Sequence, residues 1–178
     1  ALARDPQMRE RRRAIITAPA SVRSVGEAVM AADRLLETAK AQADAQVSER
    51  NAREKAELLR QLGMDEGESA TKASRTMIRQ LEEDQKRRSK RALTDAIDRA
   101  LIDLLAIYRD VLMVQVGGDG ELINTDLSDL VHEIAQDSTP RQTLARVDHI
   151  ETARKRLVSN GNPLLVLEDM AISLRPQA

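Results

Sequence analysis

The 178-residue chain contains no cysteine, phenylalanine or tryptophan, and Tyr108 is its one tyrosine. The absence of cysteine excludes a disulfide framework and thiolate metal sites, and it is compatible with a reducing cytoplasm. Because aromatic residues are so scarce, an apolar core must be built from Leu, Ile, Val, Ala and Met. Such a core favours helices, since strands are enriched in β-branched and aromatic residues.

Long apolar runs and an excess of one charge sign are also absent. No segment approaches the roughly 20 apolar residues that a membrane-spanning helix needs, and no apolar stretch typical of a signal peptide follows residues 1–13. The 28 basic and 29 acidic residues leave a net charge of -1, which does not by itself demand a nucleic-acid partner. We therefore expect a cytoplasmic protein without a membrane partner. Its first residue is Ala rather than Met, which suggests a fragment of a longer protein.

The 7 glycines and 5 prolines are clustered, which predicts long helices with distinct breaks. A capping box at Ser24–Glu27 predicts the start of a long first helix. A turn is predicted over residues 63–69, followed by a second long helix from about Thr71 to Val116. Shorter helices are predicted over residues 5–17, over residues 126–136, after Thr139-Pro140 and after Asn162-Pro163, the last two having a cap followed by a proline.

The two long helices are predicted to form an antiparallel hairpin. The second half of the second helix carries apolar residues at alternating spacings of four and three, the heptad pattern of packed helices, at Leu93, Ile97, Ala100, Leu104, Ile107, Val111 and Val114. Residues 40–94 are instead rich in charge and alanine, and we expect them to protrude as an arm of roughly 40 Å. The predicted fold is all-α, a helical bundle with a long, coiled-coil-like two-helix arm.

No catalytic, cofactor or metal site is recognisable in the sequence. The glycines at 117–120 are not followed by the lysine of a phosphate-binding loop. We expect them, like Gly161, to end a helix. Neither His132 nor His149 has neighbours at a spacing typical of metal ligands. We therefore expect a protein that is not an enzyme and that binds no cofactor, metal or small-molecule substrate.

Two charged segments carry hypotheses of their own. The basic run Lys86, Arg87, Arg88, Lys90 and Arg91 could contact nucleic acid or an acidic partner. It could equally be a solvated helix surface balanced by the acidic residues at 82–84. The pair Arg109-Asp110 lies in a strongly apolar segment, where charges are usually paired. It is therefore interpreted as a structural ion pair, within the fold or across a subunit boundary.

Several motifs follow one another in the last third of the chain: Tyr108-Arg109-Asp110-Val111-Leu112, Leu122-Ile123-Asn124 with Asp126, Thr143-Leu144, Ile150 with Ala153-Arg154, and Asn160-Gly161-Asn162-Pro163-Leu164-Leu165 with Leu167-Glu168. In this order and at these spacings, they resemble the C-terminal collar domain of bacterial DNA polymerase III clamp-loader subunits. The resemblance covers roughly residues 95–175. It is stronger to the delta-prime subunit than to tau and gamma, because the chain stops just after the last helix.

The resemblance also divides the chain. Leu2-Ala3-Arg4-Asp5 is similar to the end of the lid region that precedes the collar. Residues 1–20 are therefore expected to be the end of that lid and a connector, and residues 21–178 the collar domain. Residues 40–94 depart from the familiar collar pattern, so the family implies no role for them.

The family resemblance implies a place in a hetero-pentameric machine that loads sliding clamps onto DNA during replication. The collar would hold the other clamp-loader subunits in a circle and would meet DNA only indirectly, while ATP hydrolysis would belong to separate modules. The residues expected to set local geometry and interfaces are Tyr108, Arg109, Asp110, Asn124, Asp126, Arg154, Asn162 and Pro163. Two alternatives remain open: a nucleic-acid-binding helical module that uses the basic run 86–91, and a self-associating coiled-coil adaptor.

Overall fold

The computed structural model describes Arg13, Thr17 and residues 22–63, 71–118 and 120–175. Within these ranges the chain is helical and contains no strand, which confirms the predicted all-α fold. The helix predicted over residues 5–17 lies almost entirely outside the described residues. Most of the predicted turn at 63–69 and of the connector at 1–20 also lies outside them.

Five α-helices follow one another along the described chain. They are α1 (Val25–Gln61), α2 (Lys72–Gln115), α3 (Ser128–Gln136), α4 (Pro140–Val158) and α5 (Pro163–Ser173), with a short 3-10 turn at Thr125–Leu127 before α3. The chain forms two compact units. The bundle unit comprises the residues up to Thr38 and those from Ile97 onwards, and the hairpin unit is Ala39–Ala96.

The starts of α1, α4 and α5 are set by local side-chain caps, as the sequence predicts. The Glu27 backbone N–H donates to Ser24 Oγ at 3.1 Å, and Glu27 Oε2 accepts from the Ser24 N–H at 3.3 Å, which completes a capping box. Thr139 and Gln142 form a second box at the start of α4. Asn162 Oδ1 accepts from the backbone N–H groups of the second and third residues of α5, and Pro163 opens that helix.

Helix ends use left-handed residues. Gly117, at φ +66°, ends α2, and the Gly118 N–H donates to the Met113 carbonyl at 3.0 Å. At the end of α4 the left-handed residue is Asn160, at φ 62°, and not Gly161. Gly161 follows it and donates its N–H to the Arg156 carbonyl at 2.8 Å. Here asparagine adopts the conformation, and glycine allows the close approach of the backbone.

The core of the bundle unit is aliphatic and is centred on the second half of α2. Ile97, Ala100, Leu104, Ile107 and Val111 are buried as the heptad pattern predicts, and Val114 at the end of that pattern is partly buried. The other helices contribute further large buried side chains, among them Val131 of α3, Ile150 of α4 and Leu167 of α5.

The hairpin unit has a much smaller apolar core. It consists of Ala43, Val47 and Ala92, with Leu93 packed against them. Between Val47 and Ala92 no described apolar residue is buried. Polar contacts hold α1 and α2 together there: Asn51 bonds to Gln85 and Arg88, and Lys55 pairs with Glu82. As the residue number rises along α1 from Asn51 to Lys55, the number of the partner on α2 falls from Arg88 to Glu82. The two helices therefore run antiparallel.

Replacing Gly161 by alanine is expected to destabilise the bundle unit by about 1–3 kcal/mol, because the new methyl overpacks the helix junction. An added Cβ would lie 2.8 Å from the Arg156 carbonyl oxygen and 2.9 Å from Val166 Cγ2. Gly26→Ala is the matched control. Its Cβ would come no closer than 4.0 Å to Ser24 Oγ, so it should stabilise α1 by about 0.5 kcal/mol. Thermal unfolding of both variants measures the contrast, and equal shifts would contradict it.

Asn162→Ala is expected to cost about 1 kcal/mol, because two backbone N–H groups of α5 lose their acceptor. For a chain of this size, that corresponds to a fall of about 2–4 °C in the melting temperature. Asn162→Asp keeps the acceptor and should leave the melting temperature near that of the parent. An unchanged midpoint for Asn162→Ala would refute the role of the cap.

Candidate functional site

The carboxylate of Asp110 is the centre of a polar cluster inside the bundle unit. Asp110 is fully buried, with 0% of its surface exposed. Its Oδ1 accepts from Arg109 Nη1 at 2.8 Å and from the Ile123 N–H at 3.1 Å. Its Oδ2 accepts from the backbone N–H and the side-chain amide of Asn124, both at 2.8 Å. Four donors therefore surround one buried charge.

This cluster anchors the segment that follows α2. Arg109 Nη1 also donates to the Glu121 carbonyl at 3.1 Å, so one guanidinium joins the last turns of α2 to the segment beyond its end. The Arg109 side chain stays 44% exposed beside the buried carboxylate. The hypothesis of a structural ion pair thus corresponds to a contact within the fold, since both charges belong to the same helix.

Opposing effects act on the pKa of Asp110. Burial acts to raise it, because the charged form loses its hydration. The backbone hydrogen bonds from Asn124 and Ile123, with those from Arg109 and the Asn124 amide, outweigh burial and hold the pKa below its ordinary value of 3.8. The carboxylate is therefore ionised at neutral pH. It is an acceptor for fixed donors and is not placed as a proton donor.

Tyr108 lies next to the cluster in sequence but faces the apolar core. It is 1% exposed, and burial raises the pKa of its hydroxyl to about 12. The Arg146 guanidinium of α4 stacks on its ring at 5.9 Å from the centroid. This cation–π contact joins α2 to α4. Arg146, itself 7% exposed, was not among the residues predicted from the sequence.

A second polar group joins the end of α2 to the junction of α3 and α4. Gln115 Nε2 donates to the Ser138 carbonyl at 2.7 Å, and Gln115 Oε1 accepts from Thr143 Oγ1 at 2.9 Å. Thr143 is fully buried. Sequence reasoning missed this group. One feature of the sequence indicates this group. Gln115 lies one turn after Val111, at a position where the apolar pattern of α2 would otherwise place an apolar residue.

Arg154 of α4 reaches back to α2. Its guanidinium donates to both oxygens of Asp98, at 2.7 and 3.1 Å, and this bonding raises the pKa of Arg154. Both side chains remain about one-third exposed. Arg154 was among the predicted residues, but no pattern pointed to its partner, which lies 56 positions away in the chain.

The remaining predicted residues do not converge on the Asp110 cluster. Asp126 is exposed in the 3-10 turn, and Asn162 with Pro163 opens α5. The basic run 86–91 belongs to the hairpin unit. There Arg88 donates to both oxygens of Glu54, and this bonding, with help from Arg50, lowers the pKa of Glu54 to about 2. Lys86, Arg87, Lys90 and Arg91 are exposed.

The described part of the chain contains no group of three or more metal-ligating side chains that could hold an ion. None of its helices is long and apolar enough to cross a membrane. Its polar clusters therefore consist of buried hydrogen bonds and ion pairs that join helices, and the Asp110 cluster is the most deeply buried of them.

Asp110→Asn is expected to destabilise the bundle unit by about 2–4 kcal/mol at pH 7. The asparagine amide would turn N–H donors toward groups that are themselves donors. Asp98→Asn is the matched control, because it neutralises a half-exposed aspartate and should cost less than about 1 kcal/mol. Urea unfolding of the three proteins measures the difference, and equal losses for the two variants would contradict the special role of Asp110.

The same comparison has a defined pH dependence. Because the folded state lowers the pKa of Asp110, its contribution is complete above the ordinary pKa of 3.8 and is lost as the pH falls through the folded value. The stability gap between the parent and Asp110→Asn should therefore be largest at neutral pH and shrink below about pH 4. A gap that stays constant down to pH 3 would contradict the assignment.

Comparison with known proteins assigns the chain to a family. Residues 68–175, more than half of the chain, match the family described as DNA polymerase III, delta subunit, C terminal. The match includes all of α2 and begins well before the resemblance seen in the sequence. No solved structure matches the chain.

A curated relative supports the same assignment. The chain is 36% identical over 72 residues to DNA polymerase III subunit delta' of Bacillus subtilis (strain 168). The matched stretch is 40% of this chain and 22% of that protein. The chain thus corresponds to about a fifth of the relative. Together with the family match, this shows that the chain belongs to the family of C-terminal domains from the delta subunit of DNA polymerase III, which are domains of clamp-loader proteins.

Proposed function

We propose that this chain is a non-catalytic collar domain that holds its subunit in a hetero-oligomeric clamp loader. Its partners would be the collar domains of the other clamp-loader subunits, and it would support the loading of sliding clamps in replication. Residues 21–178 would form the collar domain, with residues 40–94 as its helical hairpin. Family membership supports the setting, and the distribution of exposed apolar residues supports the role in assembly.

The proposal rests on how the exposed apolar side chains are distributed between the two units. Ten large apolar side chains of the described residues are exposed, and nine belong to the bundle unit: Val25, Val29, Met30, Ile102, Val116, Ile123, Leu144, Val158 and Leu165. The hairpin unit has one, Met77. Single exposed apolar residues are ordinary, but their concentration on one unit favours burial against partners.

The buried polar groups suit such a role. A collar must present helices at constant angles to its neighbours, and each polar group ties α2 to a following element. The Asp110 cluster holds the segment after α2, Gln115 holds the α3–α4 junction, and Arg154 holds α4 against α2. We infer that Arg109, exposed at the edge of the Asp110 cluster, lies close to a subunit boundary.

Assembly can be measured by analytical ultracentrifugation of the chain, alone and mixed with the collar domains of the other clamp-loader subunits. We expect a defined mixed complex. The double variant Leu144→Ser, Leu165→Ser removes side chains that are 51% and 62% exposed, so its fold should persist. It should weaken the complex at least about tenfold, which corresponds to roughly 1.4 kcal/mol.

Met77→Ser is the control, because Met77 is 50% exposed but lies in the hairpin unit. It should leave the mixed complex unchanged. Equal weakening by both variants would contradict an interface on the bundle unit. A stable homodimer that ignores the other collar domains would replace the collar proposal with a self-associating coiled-coil adaptor.

A further inference from the structure

The hairpin unit has a charged face that the role in assembly does not use. Contacts between the helices establish which side of α2 faces α1: Gln85 donates to the Asn51 carbonyl, Arg88 binds Glu54 and Asn51, and Ala92 is buried. At 100° per residue, these three α2 positions lie within about 60° of one another. The opposite side of α2 in this unit therefore faces solvent.

That outer side carries a row of cations, which we call the basic stripe: Lys72, Arg75, Arg79, Lys86, Arg87 and Lys90. All six are exposed, and they lie within about 120° of the helix circumference. Arg91 flanks the stripe, whereas Arg88 belongs to the inner side. The basic run at residues 86–91 is thus divided between the two sides of α2. Its outward-facing cations continue toward the start of α2 through Arg79, Arg75 and Lys72.

Carboxylates are fewer than cations on this side of α2. Glu83 lies within it and pairs with Arg79 at 3.5 Å. Asp84 and Glu82 flank it on opposite sides; Asp84 pairs with Arg87, and Glu82 pairs with Lys55 of α1. Exposed pairs of this kind contribute little free energy, so they do not prevent the cations from meeting a stronger anion. Counted with the flanking Arg91, Glu82 and Asp84, this side of α2 has seven cations and three carboxylates, so cations predominate on it.

The residue composition of the stripe indicates which class of ligand it would bind. No aromatic residue occurs in the hairpin unit, since Tyr108 is the only one in the chain, so stacking on unpaired bases is excluded. No exposed large apolar residue lies in the stripe, whereas the centre of a protein–protein interface is usually apolar. The stripe extends about 27 Å. Over that length, both strands of a DNA duplex carry about sixteen phosphates.

We propose that the basic stripe binds the phosphate backbone of double-stranded DNA without reading its sequence. Lysine and arginine side chains on one straight helix would neutralise successive phosphates and release their counterions. The interaction is independent of the role in assembly, because it belongs to the hairpin unit and needs no other subunit.

The test measures binding of the complete 178-residue chain to a labelled DNA duplex of about 20 base pairs by fluorescence anisotropy, at a series of salt concentrations. Binding is expected at about 50 mM salt. The logarithm of the association constant should fall linearly with the logarithm of salt concentration, with a slope between about -3 and -5. The triple variant Lys86→Gln, Arg87→Gln, Lys90→Gln should bind at least tenfold more weakly and reduce the steepness of that slope by about 2–3.

Two further variants distinguish a loss of binding caused by the stripe from one caused by a lower net charge or by loss of the fold. Arg50→Gln, Arg53→Gln, Arg60→Gln removes the same charge from α1, outside the stripe, and it should keep the affinity of the parent. Lys86→Arg, Lys90→Arg preserves the charge and should also keep it. Circular dichroism checks that all variants remain helical.

Several outcomes would overturn the proposal. These are the absence of duplex binding by the parent at about 50 mM salt, equal losses for the two triple variants, and tighter binding of a single strand than of a duplex of the same length. Polyglutamate that competes as well as unlabelled duplex would assign the stripe to an acidic protein surface instead.

Discussion

A buried carboxylate constrains the bundle unit more tightly than any other single group. Removing a charge from water is costly unless donors replace the lost hydration. Asp110 has four donors, and three of them belong to Ile123 and Asn124, which follow the end of α2. The folded state therefore holds that segment where its N–H groups meet the carboxylate. The position of the segment in turn determines where the 3-10 turn and α3 begin, so the route of the chain after α2 depends on this cluster.

Each of the two compact units is stabilised internally by a different kind of interaction. The bundle unit buries a continuous set of aliphatic side chains and uses buried polar groups to select one arrangement of its helices. The hairpin unit has a small apolar core around Ala43, Val47 and Ala92, and beyond it depends on contacts such as Arg88 with Glu54. Apolar burial contributes most of the free energy of folding, so the bundle unit has the greater local stability. A binding role in which rigid geometry matters fits the bundle unit, whereas a role for surface charge fits the hairpin unit.

Sequence reasoning was most successful where the determinants are local. The capping box at Ser24 and the caps at Thr139 and Asn162 involve atoms within four residues of one another, so their motifs can be read directly. The helix end at Asn160 was assigned to the neighbouring glycine, because glycine is the usual left-handed residue and asparagine the less frequent one. The ion pair of Arg109 with Asp110 was foreseen from two charges in an apolar segment. The family resemblance indicates Asn124 as a determinant of local geometry but not its bond to Asp110, since spacing alone does not pair residues 14 positions apart.

By itself, the sequence determined the all-α fold, the starts of the helices and the stripe of α2 that is buried, because caps, turns and the helical period depend on neighbouring residues. Only the tertiary structure decided that Arg154 binds Asp98, that Arg146 stacks on Tyr108 and that Gln115 joins Ser138 to Thr143. It also divided the basic run into an inward Arg88 and an outward stripe. These assignments depend on which helix packs against which and at what rotation. That arrangement comes from the sum of many non-directional apolar contacts, and no single motif encodes it.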